Sequence, residues 1–152
     1  MELHNISNAK GFTVIELLIV LAIATLISSI GLIYGYDTFT RSSVRSQEDT
    51  LGRLLQTARA RAISNVNQSP HGVHIDPDKY VLFSGLTYDP LDPENEPFPR
   101  NSSVIISTDP SGMNNFVFAQ LSGDASPTGT IVLNASGQNY NIVINSEGGI
   151  DW

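Results

Sequence analysis

From Phe12 to Tyr36 the sequence reads FTVIELLIVLAIATLISSIGLIYGY, 25 residues with one charge, Glu16, between a flanking Lys10 and Asp37. Nothing else in the chain constrains its fold so strongly. At about 1.5 Å per residue, residues 14–33 make a helix of roughly 30 Å, the hydrocarbon thickness of a bilayer. A buried core helix is rarely so long, and the apolar part of a secretory signal typically stops after about 7–15 residues at a small-residue cleavage site. The expectation is a membrane-spanning helix over 12–36. Basic residues lie on both sides, Lys10 before it and Arg41 and Arg45 after it, so the positive-inside rule does not orient it. Gly31 and Gly35, with Ser28 and Ser29 before them, suit either a bend or close helix packing.

Residues 37–65 contain no proline and place Val44, Leu51, Leu54, Leu55, Ala58 and Ala62 at helical spacing. This predicts an amphipathic helix that continues the first one, about 75 Å in all if unbroken. Its polar face is read as Arg41, Arg45, Arg53, Arg59 and Arg61 with Asp37, Glu48 and Asp49, a net of +2.

From Val66 onward short β-rich runs alternate with turn residues: 72–75, 80–83, 104–108, 116–119, 130–133 and 140–144. IDPDKY is a tight hairpin signal, because Asp76 can bond its own backbone and Pro77 presets φ; LNASGQNY is a longer one. Thr87 to Arg100, with Pro90, Pro93, Pro97 and Pro99 among Asp89, Asp92, Glu94 and Glu96, reads as a surface loop. The predicted class is α+β, a long N-terminal helix packed on small antiparallel sheets. The segments are a leader at 1–11, an apolar helix at 12–36, an amphipathic helix at 37–65 and a β domain at 66–152.

Charged residues make up 15% of the 152, against about 25% in ordinary soluble domains, and the apolar run accounts for most of that dilution. The net charge of −7 is concentrated in residues 66–152, where ten carboxylates face only Lys79 and Arg100. With no cysteine, disulfides, thiolate metal sites and thiol nucleophiles are excluded.

The N-terminal constellation is Lys10-Gly11-Phe12-Thr13-Val14-Ile15-Glu16, followed by Leu17-Leu18-Ile19-Val20-Leu21-Ala22. A carboxylate so close to an apolar helix is costly unless it snorkels to headgroups or meets a partner. This heptapeptide closely resembles the class III signal of type IV pilins and type II secretion pseudopilins. The resemblance implies that prepilin peptidase cuts after Gly11 and methylates the new amine of Phe12. It also places the leader in the cytoplasm, the chain as a single pass in the inner membrane and the β domain on the periplasmic side. Glu16 becomes the glutamate that this family keeps for subunit assembly. The electrostatics agree, since a carboxylate neutralises a neighbour's terminal amine far better at low dielectric than in water.

The segments LLQTARARAISN, HGVHID, KYVLF and IVINSEGGIDW resemble the minor pseudopilin family GspH/FimT more diffusely. That implies a pilin-like fold and a structural, non-enzymatic subunit of a type II secretion pseudopilus. Its partners would be prepilin peptidase, other pilins through the N-terminal helix, and the inner-membrane assembly platform. The alternative is a minor subunit of a type IV pilus or competence filament, which uses the same residues.

Other features carry less. Ser7 and Lys10 have the S-x-x-K spacing of serine acylases but no partner motif. His71 and His74, three apart on a predicted strand, point to opposite faces and make a poor metal pair. Some major pseudopilins bind calcium through an acidic loop, yet Asp89, Asp92, Glu94 and Glu96 lack EF-hand spacing. Some FimT-like proteins take up DNA through a basic patch near the C-terminus, whereas here the end carries Glu147 and Asp151 and no Lys or Arg. Arg53, Arg59 and Arg61 are expected to pair with Glu48, Asp49 or the acidic β domain, which disfavours nucleic acid. No phosphate loop, nucleophile elbow or metal cluster is present in the sequence, so no cofactor and no catalysis are expected.

Overall fold

The computed structural model describes residues 11–135 and 137–152, with side chains described for all of these except 30–41. The fold is α+β. Among the described residues one helix, α1 (Val14–Ile63), is followed by a short 3-10 turn (Val66–Gln68) and nine strands. These are β1 (His71–Ile75), β2 (Lys79–Ser84), β3 (Glu96–Pro99), β4 (Ile105–Asp109), β5 (Asn115–Phe118), β6 (Ala125–Ser126), β7 (Gly129–Ala135), β8 (Gln138–Ile144) and β9 (Ile150–Asp151). They form a five-stranded sheet in the order β3-β2-β1-β5-β6 and a four-stranded sheet in the order β4-β7-β8-β9. Every pairing is antiparallel. The chain divides into two compact units, 1–38 and 39–152.

In the first unit the described side chains are apolar on every side of the helix. Eleven large hydrophobics from Phe12 to Ile27 are each more than half exposed, from 53% at Leu21 to 87% at Phe12. Thr25, Ser28 and Ser29 turn their hydroxyls back onto the carbonyls of Ala22, Ala24 and Leu26 at 2.8–2.9 Å. Such back-bonding competes for the helix's own carbonyls and often bends a helix slightly. Among the described residues no helix is long and apolar enough to cross a membrane. The expected span over 12–36 falls partly on side chains 30–36, which lie outside the described residues.

The second unit closes around one core. Val44, Leu51, Leu54, Leu55, Ala58 and Ala62 of α1 are buried against Val73, Tyr80, Leu82, Phe116 and Phe118 of the first sheet and Ile131, Leu133, Ile142 and Ile144 of the second. The helical spacing read from the sequence therefore places its apolar stripe where both sheets meet it. Glu48 does not belong to the polar face assigned to it. It is 8% exposed, because position 48 falls four after Val44 and three before Leu51, within the buried stripe. Burial first, and Asp49 next, raise its carboxyl above the ordinary value against a smaller opposing effect of Arg45.

α1 stops at Ile63 because Asn65 adopts the left-handed conformation (φ 56°), a common way to end a helix. The residues immediately after it form the 3-10 turn before the first strand. The expected loop over 87–100 is corrected at its end. Glu96–Pro99 is an edge strand pairing with β2, with Phe98 opposite Tyr80 and Glu96 opposite Leu82. An edge strand accepts proline where the missing N–H faces away from its neighbour, and alternate positions 97 and 99 allow that for both. In the first hairpin the Asp76 N–H donates to the Lys79 carbonyl at 2.9 Å, while the Asp76 carboxylate meets His74 at 3.0 Å and Lys79 at 3.8 Å. β7 and β8 pair from Gly129 with Ile144 to Ala135 with Gln138, and Gly137 in the turn has φ 77°.

Candidate functional site

The start of α1 is built by three consecutive residues that point to one chemistry. Gly11, Phe12 and Thr13 precede the helix, and among the described residues a side chain added at Gly11 would meet nothing within 4 Å. Thr13 caps the helix: the Glu16 N–H donates to Thr13 Oγ1 at 3.3 Å, and the Leu17 N–H donates to the Thr13 carbonyl at 3.1 Å. Thr13 and Glu16 thus have the spacing of a capping box, and the carboxylate sits in the first turn, where the helix dipole favours it. That carboxylate makes no hydrogen bond among the described residues, although Phe12, Val14, Ile15 and Leu17 around it are all apolar and exposed. An exposed apolar cylinder with one unpaired carboxylate near its end can be covered by lipid or by other helices that bring a cation.

The remaining sequence candidates do not come together. The Ser7 and Lys10 spacing lies outside the described residues. His71 and His74 face apart on β1. His71 is buried beside the Ser69 carbonyl at 3.1 Å, and burial holds its ring pKa below the usual histidine range. His74 contacts Asn115 Oδ1 at 2.6 Å and Asp76 Oδ1 at 3.0 Å and stacks on Tyr88 with centroids 4.0 Å apart.

The acidic loop spends its carboxylates on protein groups. Asp89 Oδ1 accepts from the Leu91 N–H and Asp92 Oδ1 from the Glu94 N–H, both at 2.9 Å, and Glu94 accepts from Asn67 at 3.1 Å. Glu96 takes a two-pronged pair from Arg61 at 2.7 and 3.1 Å, and the Arg61 hydrogen bonds hold its carboxyl below the usual range. Among the described residues no group of three or more His, Asp or Glu side chains is arranged to hold a metal.

Of the helix arginines, Arg61 finds the acidic domain through Glu96, and Arg59 donates to the Glu147 backbone carbonyl at 2.9 Å rather than to a carboxylate. Arg45 and Arg53 are exposed and form no ion pair among the described residues.

Sequence reasoning missed four contacts that fix the domain. Arg100 donates to the carbonyls of Asp76 at 2.8 Å and Val104 at 2.6 Å and lies over the ring of Tyr80. Burial pushes the Tyr80 hydroxyl up to about 12. Trp152 rests on the helix at Gly52, where even a methyl group would come within 2.7 Å of the indole. The helical spacing of Glu48 was the one signal available for a misassigned residue; partners as far apart as Arg100 and Tyr80 left none.

No curated protein and no solved structure matches the chain. Residues 6–32 match the family model of the prokaryotic N-terminal methylation motif, a stretch that contains Gly11, Phe12, Thr13 and Glu16. That motif is the prepilin-type signal; it supports a membrane-anchored subunit of the type IV pilin and pseudopilin superfamily and implies processing by prepilin peptidase and assembly with other pilins.

Proposed function

We propose that the chain is a minor pseudopilin of the GspH/FimT kind, a structural subunit of a type II secretion pseudopilus with no chemistry of its own. Prepilin peptidase cuts between Gly11 and Phe12 and methylates the Phe12 amine. The helix over 12–36 anchors the subunit in the inner membrane with the β domain on the periplasmic side. Glu16 then neutralises the Phe12 amine of a neighbouring subunit, and the assembly platform draws the pair into the filament.

The observation that carries this reading is the methylation motif over 6–32, with Glu16 a carboxylate that no described residue pairs, on an exposed apolar helix start. The α+β fold, with α1 covering two antiparallel sheets, is compatible with a pilin-like subunit.

The test is mass spectrometry of the chain recovered from cells with and without an active prepilin peptidase. The expected product lacks residues 1–11 and carries one methyl group on Phe12 only when the peptidase is present. An intact N-terminus in both would instead mark a simple anchored domain and defeat the proposal.

A further inference from the structure

Each sheet ends in two edge strands, β3 and β6 in the first and β4 and β9 in the second. Three of these edges are closed to a further strand. β3 carries Pro97 and Pro99 at alternate positions, which removes N–H donors from its outer side. β6 and β9 are two residues long, and Pro127 follows β6 directly. Short strands, proline and lysine are the usual means of keeping an edge from pairing with another chain. β4 has none of them: it runs five residues, IISTD, and pairs on one side with β7 alone. Alternate residues of such a strand direct their N–H and C=O away from the ladder. Outside that ladder no backbone group of residues 105–109 has a backbone partner among the described residues.

The open side leads into a cavity of about 600 Å³, within the roughly 300–1,000 Å³ of ligand pockets. β4, the β1–β2 turn and segments at 100–104 and 111–114 line it, with no residue of β7, so it lies on the side of β4 away from its partner. Ile75, Ile106 and Met113 supply apolar surface there, and Ser102, Thr108 and Ser111 supply hydroxyls. Along β4 the side chains alternate, with Ile106 and Thr108 half-buried and Ile105, Ser107 and Asp109 exposed, Ile105 by 66%.

A second copy fits this edge poorly. Two-fold antiparallel pairing about Ser107 sets each Asp109 opposite the other copy's Ile105, a charge against an apolar side chain. It also brings together two β domains that each hold ten carboxylates against Lys79 and Arg100. The complementary strand instead has a cation opposite Asp109, an apolar side chain opposite Ile105, and apolar side chains at the alternate positions that enter the cavity.

We infer that β4 takes up an extended, basic and apolar segment of a different protein as a fifth, antiparallel strand of the second sheet. Main-chain hydrogen bonds supply the affinity, and the cavity and Asp109 supply the selectivity. Contact with an unlike chain agrees with the minor-subunit reading but does not rest on it, since every residue involved lies within 39–152.

The probe is a fluorescein-labelled peptide, GSKVTLVTGS, whose KVTLV core sets its lysine against Asp109 and its second valine against Ile105. Anisotropy follows its binding to the full-length protein in nanodiscs of phosphatidylethanolamine and phosphatidylglycerol. Saturable binding is expected below about 1 mM. An edge strand bonds only every second amide of its neighbour. One peptide is therefore N-methylated at the second and fourth core residues and another at the third and fifth. One of the two is expected to bind at least about tenfold more weakly and the other to change less than about threefold. Ile105→Lys is expected to weaken binding of the unmodified peptide at least about tenfold, and Asp109→Asn about threefold.

The methylated peptides are compared on wild type, so that result does not depend on the folding of a variant. Equal losses from both, no saturable binding up to about 1 mM, or undiminished binding to Ile105→Lys would overturn the proposal. So would self-association of wild type that Ile105→Lys abolishes while no peptide binds, because the edge would then serve copies of this chain. Processing at Phe12 plays no part in the assay: a chain that is never processed but binds the peptide loses the secretion reading alone, and the reverse pattern loses the strand contact alone.

Discussion

Replacing Glu16 by alanine separates a local role from the proposed intermolecular one, because the two use different atoms. The cap uses the backbone N–H of Glu16 and the hydroxyl of Thr13, so removing the Glu16 side chain leaves that bond intact. Thr13→Ala does the opposite, removing the cap and keeping the carboxylate. The cap is exposed and neutral, which puts its loss near about 1 kcal/mol, roughly fivefold in any equilibrium that needs the helix start. If Glu16 instead neutralises a neighbour's Phe12 amine inside a bundle, Glu16→Ala strands a buried cation at about 3–5 kcal/mol. At about 1.4 kcal/mol per factor of ten, that lowers incorporation by roughly two to three and a half powers of ten. A solvent-exposed pair would give only about 0–1 kcal/mol, fivefold or so.

The assay co-expresses wild type and a tagged variant and compares their ratio in sheared filaments with their ratio in the membrane fraction. Glu16→Ala is expected to be cleaved and inserted normally and depleted at least about a hundredfold from filaments, with Thr13→Ala depleted no more than about tenfold. Depletion of Glu16→Ala by fivefold or less, or equal depletion of both variants, would refute the buried-pair argument.

Two further outcomes test the second unit. A methyl group at Gly72 would lie 2.6 Å from the Phe83 ring and 2.8 Å from the Phe116 carbonyl oxygen, so Gly72→Ala should cost about 1–3 kcal/mol by urea titration. Phe83→Leu in that background should recover only part, since the carbonyl contact remains; full recovery would mean that the backbone yields. Glu48, whose folded pKa is raised, contributes stability that is fully present below its ordinary value of 4.5 and is lost as pH rises through the raised one. Glu48→Gln is therefore expected to melt higher than wild type at pH 7 and to lose that advantage below about pH 4.5, a crossover that thermal melts across this range would detect.

What the sequence made legible was periodic or local. The α1 stripe from Val44 to Ala62 could be read because one face of a 3.6-residue repeat carries it, and the main strands because turn residues bracket them. The same periodicity contained Glu48, but residue type outweighed position and put it on the wrong face. β3 stayed hidden because Glu96-Pro97-Phe98-Pro99 has loop composition, and only the neighbouring β2 edge makes it a strand. β6 and β9 are two residues each and carry no repeat to detect. Arg61 with Glu96, 35 residues apart, was foreseen only as an attraction between a basic helix and an acidic domain, since charge totals carry no geometry.

The two units meet solvent under opposite rules, and that difference bears on where the chain is stable. From 39 to 152 the apolar side chains have mutual cover, with Leu51, Leu55, Tyr80, Phe116, Phe118, Ile131, Leu133 and Ile142 at 0% exposure. In the first unit eleven large hydrophobics are each 53–87% exposed. Fully burying one such side chain is worth about 1.5–3 kcal/mol, and these are already partly covered, so covering the rest of all eleven would yield on the order of 10–20 kcal/mol, comparable with the roughly 5–15 kcal/mol that holds a typical domain together. On the proposed reading lipid would cover these side chains in a free subunit and neighbouring helices would cover them in a filament, so apolar burial would change little on moving from one to the other. The preference for the filament must then come from something lipid does not offer. Glu16 is the only charge on that apolar helix segment, and a partner cation for it is such a thing.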